Sequence, residues 1–126
     1  MRLSLIDTLP FVTVVVAYRG RKIGIRNVLV DTGSATTIFA VDMMESIHLV
    51  PAPDDVLHIV RGVGGGEAVF SRVVDYVQIG DYPLPDFEIE VGGMDYGFEI
   101  NGILGMDFLI RAGAIINLRE QQIEFA

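Results

Sequence analysis

Asp31, Thr32, Gly33 and Ser34 are the residues of this chain best placed to do chemistry. They follow the apolar run "VLV" and precede "ATTIF". An aspartate at the end of an apolar strand is unusual, because charge is costly where a strand enters a core. Thr32 and Ser34 supply hydroxyls, and Gly33 leaves a backbone N–H open to the carboxylate, so an ionised acid could be held there by hydrogen bonds. A plain surface turn, with the aspartate bonding its own backbone, fits the same triplet. Peptide hydrolysis catalysed by carboxylates takes two of them side by side. The sequence therefore raises the question of where the second one is.

Two further segments could serve such a site. "RGVGGGEAVF" carries glycine at four of the five positions from 62 to 66, between strand-forming flanks. It reads as the tip of a long hairpin, with Val63, Gly64 and Gly65 at the turn. A phosphate loop is excluded, since Glu67 breaks G-x-G-x-x-G and no Lys-Ser/Thr follows. A solvent hairpin without function stays open. Farther on, Ile103-Leu104 stand between Gly102 and Gly105 in "NGILGMDFLIRAG". Asp107 follows and could pass for a second catalytic acid, but the first turn of a short helix suits a negative charge better. Asp54, Asp55 and Asp95 read as turn or surface residues, and Met43-Met44 as core. His48 and His58 lack Cys or acidic partners at ligand spacing, so no metal site is expected.

These residues must be positioned by strands. Short β-branched runs alternate with Gly, Pro and Asp turns, the pattern of an all-β barrel or sandwich. Phe11–Tyr18 and Ile23–Asp31 form a hairpin across "RGRK". A short helix begins near "VDMMESI", with Asp42 and Glu45 as an acidic capping box. Strands follow at Val56–Val60, Ala68–Ile79 and Phe87–Val91, the last two separated by the turn "GDYPLPD". A second short helix ends at Gly113, where a C-cap glycine would sit, and Gln122–Phe125 makes a terminal strand. The halves share one plan, strand, glycine bend and short helix: "VLVDTGSATTIFAVD" against "EINGILGMDFLIRAG".

Composition narrows the classes. The 126 residues are expected to form one domain spanning 1–126. With 51% hydrophobic residues the chain is globular rather than disordered. A net charge of −8 argues against nucleic acid as a partner, because little could neutralise a run of phosphates. No apolar stretch reaches the roughly 20 residues of a membrane span. The N-terminal block reads as a strand rather than a signal peptide. There is no cysteine, which rules out disulfides and allows a cytoplasmic location.

Taken together, "VLVDTGSATTIF", "VRGVGGGEAVF" and "GILGMDFLIRAGAIINL" resemble, in order and spacing, the retropepsin-like aspartic proteases, the single-lobe kind of retroelements and bacteria. The likeness runs over roughly residues 11 to 125. It implies an all-β closed barrel with one or two short helices and a flap hairpin. It also answers the question of the second acid. One chain supplies one aspartate, and a two-fold homodimer supplies the other, with peptide or protein as substrate and no cofactor. Asp31, Thr32 and Gly33 would be the catalytic triplet, Thr32 bonding across the dimer. Ser34 would bond the outer carboxylate oxygen and, where many relatives have alanine, favour an acidic optimum. Leu104 and Gly105 would keep the bend of the second half without its acid. Val63, Gly64 and Gly65 would cover the substrate. The N-terminal apolar segment and Ile123–Phe125 offer edges for the dimer. A non-catalytic dimeric peptide-binding module is the alternative. An autoprocessing domain ranks lower, since the chain starts with Met and shows no pro-segment.

Overall fold

A computed structural model of the chain describes residues 1–62, 65–94 and 99–125, with backbone alone at 60–62 and 65–67. Its first long hairpin joins β2 (Leu9–Tyr18) to β3 (Arg21–Val30), both rich in the β-branched residues that suit a pleated surface. Arg19 and Gly20 alone make the turn, with φ of 49° and 82°. That double positive φ matches the twist of the paired strands. A short strand, β1 (Ser4–Ile6), lies outside β2.

β3 is not regular. Val12 pairs with Val28 but Val14 with Ile25, so Arg26 and Asn27 bulge opposite Thr13. Asn27 takes φ 57°, a left-handed backbone that asparagine tolerates better than most residues. The bulge is where the second half of the chain grips the first. Asn101 N–H donates to the Asn27 carbonyl (3.0 Å) and Asn101 Nδ2 to the Arg26 carbonyl (2.9 Å). β8 (Gly102–Leu104) then runs parallel to β3, Val28 against Gly102 through Val30 against Leu104.

The other strands are β4 (Ile38–Ala40), β5 (His58–Gly62), β6 (Gly65–Ile79) and β7 (Tyr82–Gly92). The sheet order is β1-β2-β3-β8-β4-β7-β6-β5, and β2 also pairs with β6. That extra pairing closes β2, β3, β8, β4, β7 and β6 into a barrel, with β1 and β5 outside the ring. Val14, Ile25, Val28, Phe39, Val77, Ile89 and Leu104 are fully buried within it. α1 (Val41–Glu45) follows β4. α2 (Met106–Ala112) brings Phe108 edge-on to Phe87, 5.6 Å between ring centroids, and ends at Gly113 with φ 65°. β9 (Ala114–Asn117) and β10 (Gln122–Phe125) form a separate two-stranded sheet.

The structure departs from the sequence reading in several places. Ala40, not Asp42, is the N-cap of α1, and no side chain caps it; strand β4 runs straight into the helix, so Asp42 falls inside the first turn. The strand expected from Val56 starts at His58. "GDYPLPD" is mostly strand, with only Gly80 and Asp81 turning. β4 pairs with β7 only at Glu90–Gly92, so Pro83 and Pro85 stand where β7 has β6 on one side alone. A missing N–H there costs no ladder bond. Last, Ile123–Phe125 is not an open edge. Ile123 is fully buried, and β10 lies between β9 and the N-terminal residues through an Arg2–Gln122 bridge and an Ile123 N–H to Met1 carbonyl bond.

The bulge gives a test of the fold. Replacing Asn27 by valine should destabilise the chain by about 1–2 kcal/mol in chemical denaturation, the strain of a β-branched residue at that φ, whereas Asn27→Gly should be close to neutral.

Candidate active site

Asp31 leaves the end of β3 and is fixed by its backbone before its side chain acts. Its N–H donates to the Leu104 carbonyl (3.0 Å), so the parallel β3–β8 pairing continues one residue past the strand. The turn that follows returns Gly33 N–H to Asp31 Oδ1 at 2.8 Å, the bond that glycine at this position was expected to allow. Asp31 is half-buried, while Thr32, Gly33, Ala35 and Thr36 are exposed. Within the described residues the Thr32 hydroxyl has no hydrogen-bond partner.

The second half crosses this loop through Gly105. Met106 N–H donates to the Ser34 carbonyl (2.8 Å) and Asp107 N–H to that of Ala35 (3.3 Å). A Cβ on Gly105 would press on the Thr36 carbonyl, 2.6 Å from its carbon and 3.0 Å from the Ser34 oxygen. The glycine is required by this crossing, not by its φ of −93°. Leu104 is fully buried beneath it.

Thr37 ties the crossing together, and the sequence reading did not single it out. It is completely buried. Its hydroxyl donates to Asp107 Oδ1 (2.7 Å) and accepts from Gly105 N–H (3.0 Å), and its own N–H donates to Asp107 Oδ2 (3.2 Å). Asp107 Oδ1 also takes Phe108 N–H at 2.7 Å. Asp107 therefore sits in the first turn of α2 as expected, with both oxygens engaged. A threonine directly before the apolar "IFA", the second of the pair Thr36-Thr37, was the only signal, and it names no partner.

Several expectations are redirected. The Ser34 hydroxyl donates to the Thr36 carbonyl (2.8 Å), not to the Asp31 carboxylate, because the turn carries Thr36 back over Ser34. In this chain it braces the loop. Asp55 is no idle turn residue, since Arg72 on β6 donates to it at 2.6 Å and to the Tyr18 hydroxyl at 3.0 Å, pinning the segment after α1 to the barrel. His58 Nε2 lies 2.7 Å from Glu90 Oε2. No three His, Asp or Glu side chains converge as metal ligands among the described residues. In the glycine-rich hairpin, β5 and β6 pair from His58–Val69 to Gly62–Gly65. Gly65 thus opens β6, whereas Val63 and Gly64 lie outside the described residues, as does Asp95.

A closed barrel in which two strand–glycine bends interlock, one bearing an aspartate, defines the acid-protease class of fold. A model of the family described as "Aspartyl protease" matches residues 12–108, so the chain belongs to that family and is a hydrolase of the aspartic endopeptidase type. No curated protein gave a match. Among solved structures, a retropepsin-like aspartic protease from Rickettsia conorii is similar in fold. Its TM-score is 0.69 at 18% identity, over 98% of this chain and 97% of that one.

Two substitutions probe the crossing. Thr37→Val keeps the shape but leaves the Gly105 N–H buried without a partner, and should cost about 1–3 kcal/mol in a denaturant melt. Gly105→Ala should cost more, because backbone rather than a side-chain end must move, and should lower activity beyond what lost stability explains.

Proposed function

We propose that Asp31 and its copy in a second, two-fold-related chain form the catalytic pair. The observation that carries this reading is the asymmetry of the two bends. The first presents Asp31 on an exposed loop, and the second has Leu104-Gly105 in the matching place. The one acid close to the crossing, Asp107, already spends both oxygens on Thr37 and α2. A partner's Asp31 loop supplies the missing acid, and the unengaged Thr32 hydroxyl is free to bond across the two-fold axis.

Two carboxylates about 3 Å apart do not both ionise, so they share one proton. The ionised acid takes a proton from a water held between them as that water attacks the scissile carbonyl. The protonated acid donates to the carbonyl oxygen, and the resulting tetrahedral species collapses as a proton passes to the leaving amine. Gly33 N–H holds the Asp31 oxygen it contacts, which fixes the carboxylate for this exchange. The substrate is an extended peptide, laid between the Asp31 loops and the glycine-rich hairpins, whose backbone suits close pairing. The outer edge of β1, with Leu5 and Ile6 exposed, is available to the dimer.

A mixing experiment tests the shared site. Adding excess Asp31→Asn chain to a fixed amount of wild type should suppress cleavage of an unfolded protein substrate, because mixed dimers hold one acid. Undiminished activity would place a complete site in each chain. The rate should also follow a bell in pH on the acid side, falling as the pair gains its second proton and again as it loses its last.

A further inference from the structure

A cavity of about 600 Å³ opens beside the loop that carries Asp31. Thr36 of that loop forms one wall, and His58 at the root of the glycine-rich hairpin forms another. Ser71 of β6, Phe87, Glu88 and Glu90 of β7, and Asp107 and Arg111 of α2 complete the lining. The cavity thus borders both the loop and the hairpin between which the proposed substrate lies.

Glu90 is the residue that stands out. Along β7, Phe87, Ile89 and Val91 are buried in the core while Glu88 and Glu90 take the opposite face, where Ser71 pairs with Glu90. Glu90 is nevertheless only 8% exposed. Its Oε2 meets His58 Nε2 at 2.7 Å, and Oε1 has no partner among the described residues. Of the other charged groups lining the cavity, Glu88 and Arg111 are exposed and neither is in an ion pair among the described residues. Asp107 is held by Thr37 and Phe108, and the Arg111 guanidinium lies 5.4 Å from the centre of the Phe87 ring.

We infer that Glu90 makes this cavity a subsite for a cationic substrate side chain, lysine or arginine. The inference rests on the peptidase reading above and gives it a substrate class. A nearly buried carboxylate with one open oxygen gains a charge-assisted bond from an ammonium or guanidinium. An apolar side chain in the same place removes the remaining water from Glu90 and returns no bond. An acidic side chain meets Glu88 and Glu90 as like charges. The cavity therefore both favours the cation and penalises its competitors.

The test is a series of fluorogenic peptides, identical except for Arg, Lys, norleucine or Glu at each position flanking the cleaved bond, given to the full chain. At one position Arg or Lys should raise kcat/KM over norleucine by about tenfold or more, with Glu poorest. The Arg-to-Lys ratio tells a forked contact from a point charge. In Glu90→Gln the cation-to-norleucine ratio should fall to within about twofold, and a ratio within one variant is insensitive to lost stability. An unchanged ratio, or norleucine preferred throughout, overturns the inference and leaves the peptidase reading standing. Binding of the same peptides to Asp31→Asn, followed by fluorescence anisotropy, decides the subsite without turnover. Tighter binding of the cationic peptides supports it, and equal affinity overturns it even if Glu90→Gln fails to fold or no peptide is cut.

Discussion

Everything at this site depends on the absence of a side chain at residue 105. β3 and β8 run parallel, and each ends in a bend that crosses the other so closely that a Cβ at Gly105 would press on the Thr36 carbonyl. Because the bends touch backbone to backbone, their polar groups satisfy one another. Asp31 N–H finds Leu104, Met106 N–H finds Ser34 and Asp107 N–H finds Ala35. Buried peptide groups left without such partners would each cost a hydrogen bond's worth of desolvation. With a methyl group at 105 the bends would part, and the place of Asp31 would go with them.

The crossing also accounts for the different fates of two acids that stand in comparable settings. Asp31 directly follows β3 and Asp107 follows β8 and the Gly105 bend, and each accepts from a nearby backbone N–H. Asp107 lies one residue inside α2, where the helix start favours its charge, and Thr37 reaches it from the other bend. Its carboxylate is turned inward and used up as a brace. Asp31 has the Thr32-Gly33 turn after it instead of a helix, and no side chain from the second half bonds it. One acid holds the crossing, so the other can be left open to solvent.

The sequence made visible what depends on neighbours along the chain. The Arg19-Gly20 turn, the glycine that ends α2, the terminal strand Gln122–Phe125 and the Asp31 turn with its Gly33 bond all follow from local residue chemistry. Period-2 patterns showed which residues face a core but not which strand lies alongside, so the Thr37–Asp107 and His58–Glu90 contacts were hidden. They join residues far apart in the chain, and nothing in either residue type announces the other. Ser34 was misplaced for a related reason. A hydroxyl beside two acceptors chooses by angles of a few bonds, and in this turn it bonds the Thr36 carbonyl. Pro83 and Pro85 misled in the opposite sense. Proline marks a turn only where its missing N–H would be needed, and an edge without a neighbour does not need it.

Placement of Asp31 is therefore complete within one chain, and on the reading proposed here that limits what a partner has to add. The backbone bonds around Asp31, Ser34 and Gly105 are made before any dimer forms, so association need not order the loop. Ordering a flexible loop would consume part of the association free energy. What remains for the two-fold contact is to bring two fixed carboxylates into proton-sharing distance and to give Thr32 its partner. Catalysis that relies on preorganised groups gains most from this division. The geometry is set by folding, and the charge state is set by pairing.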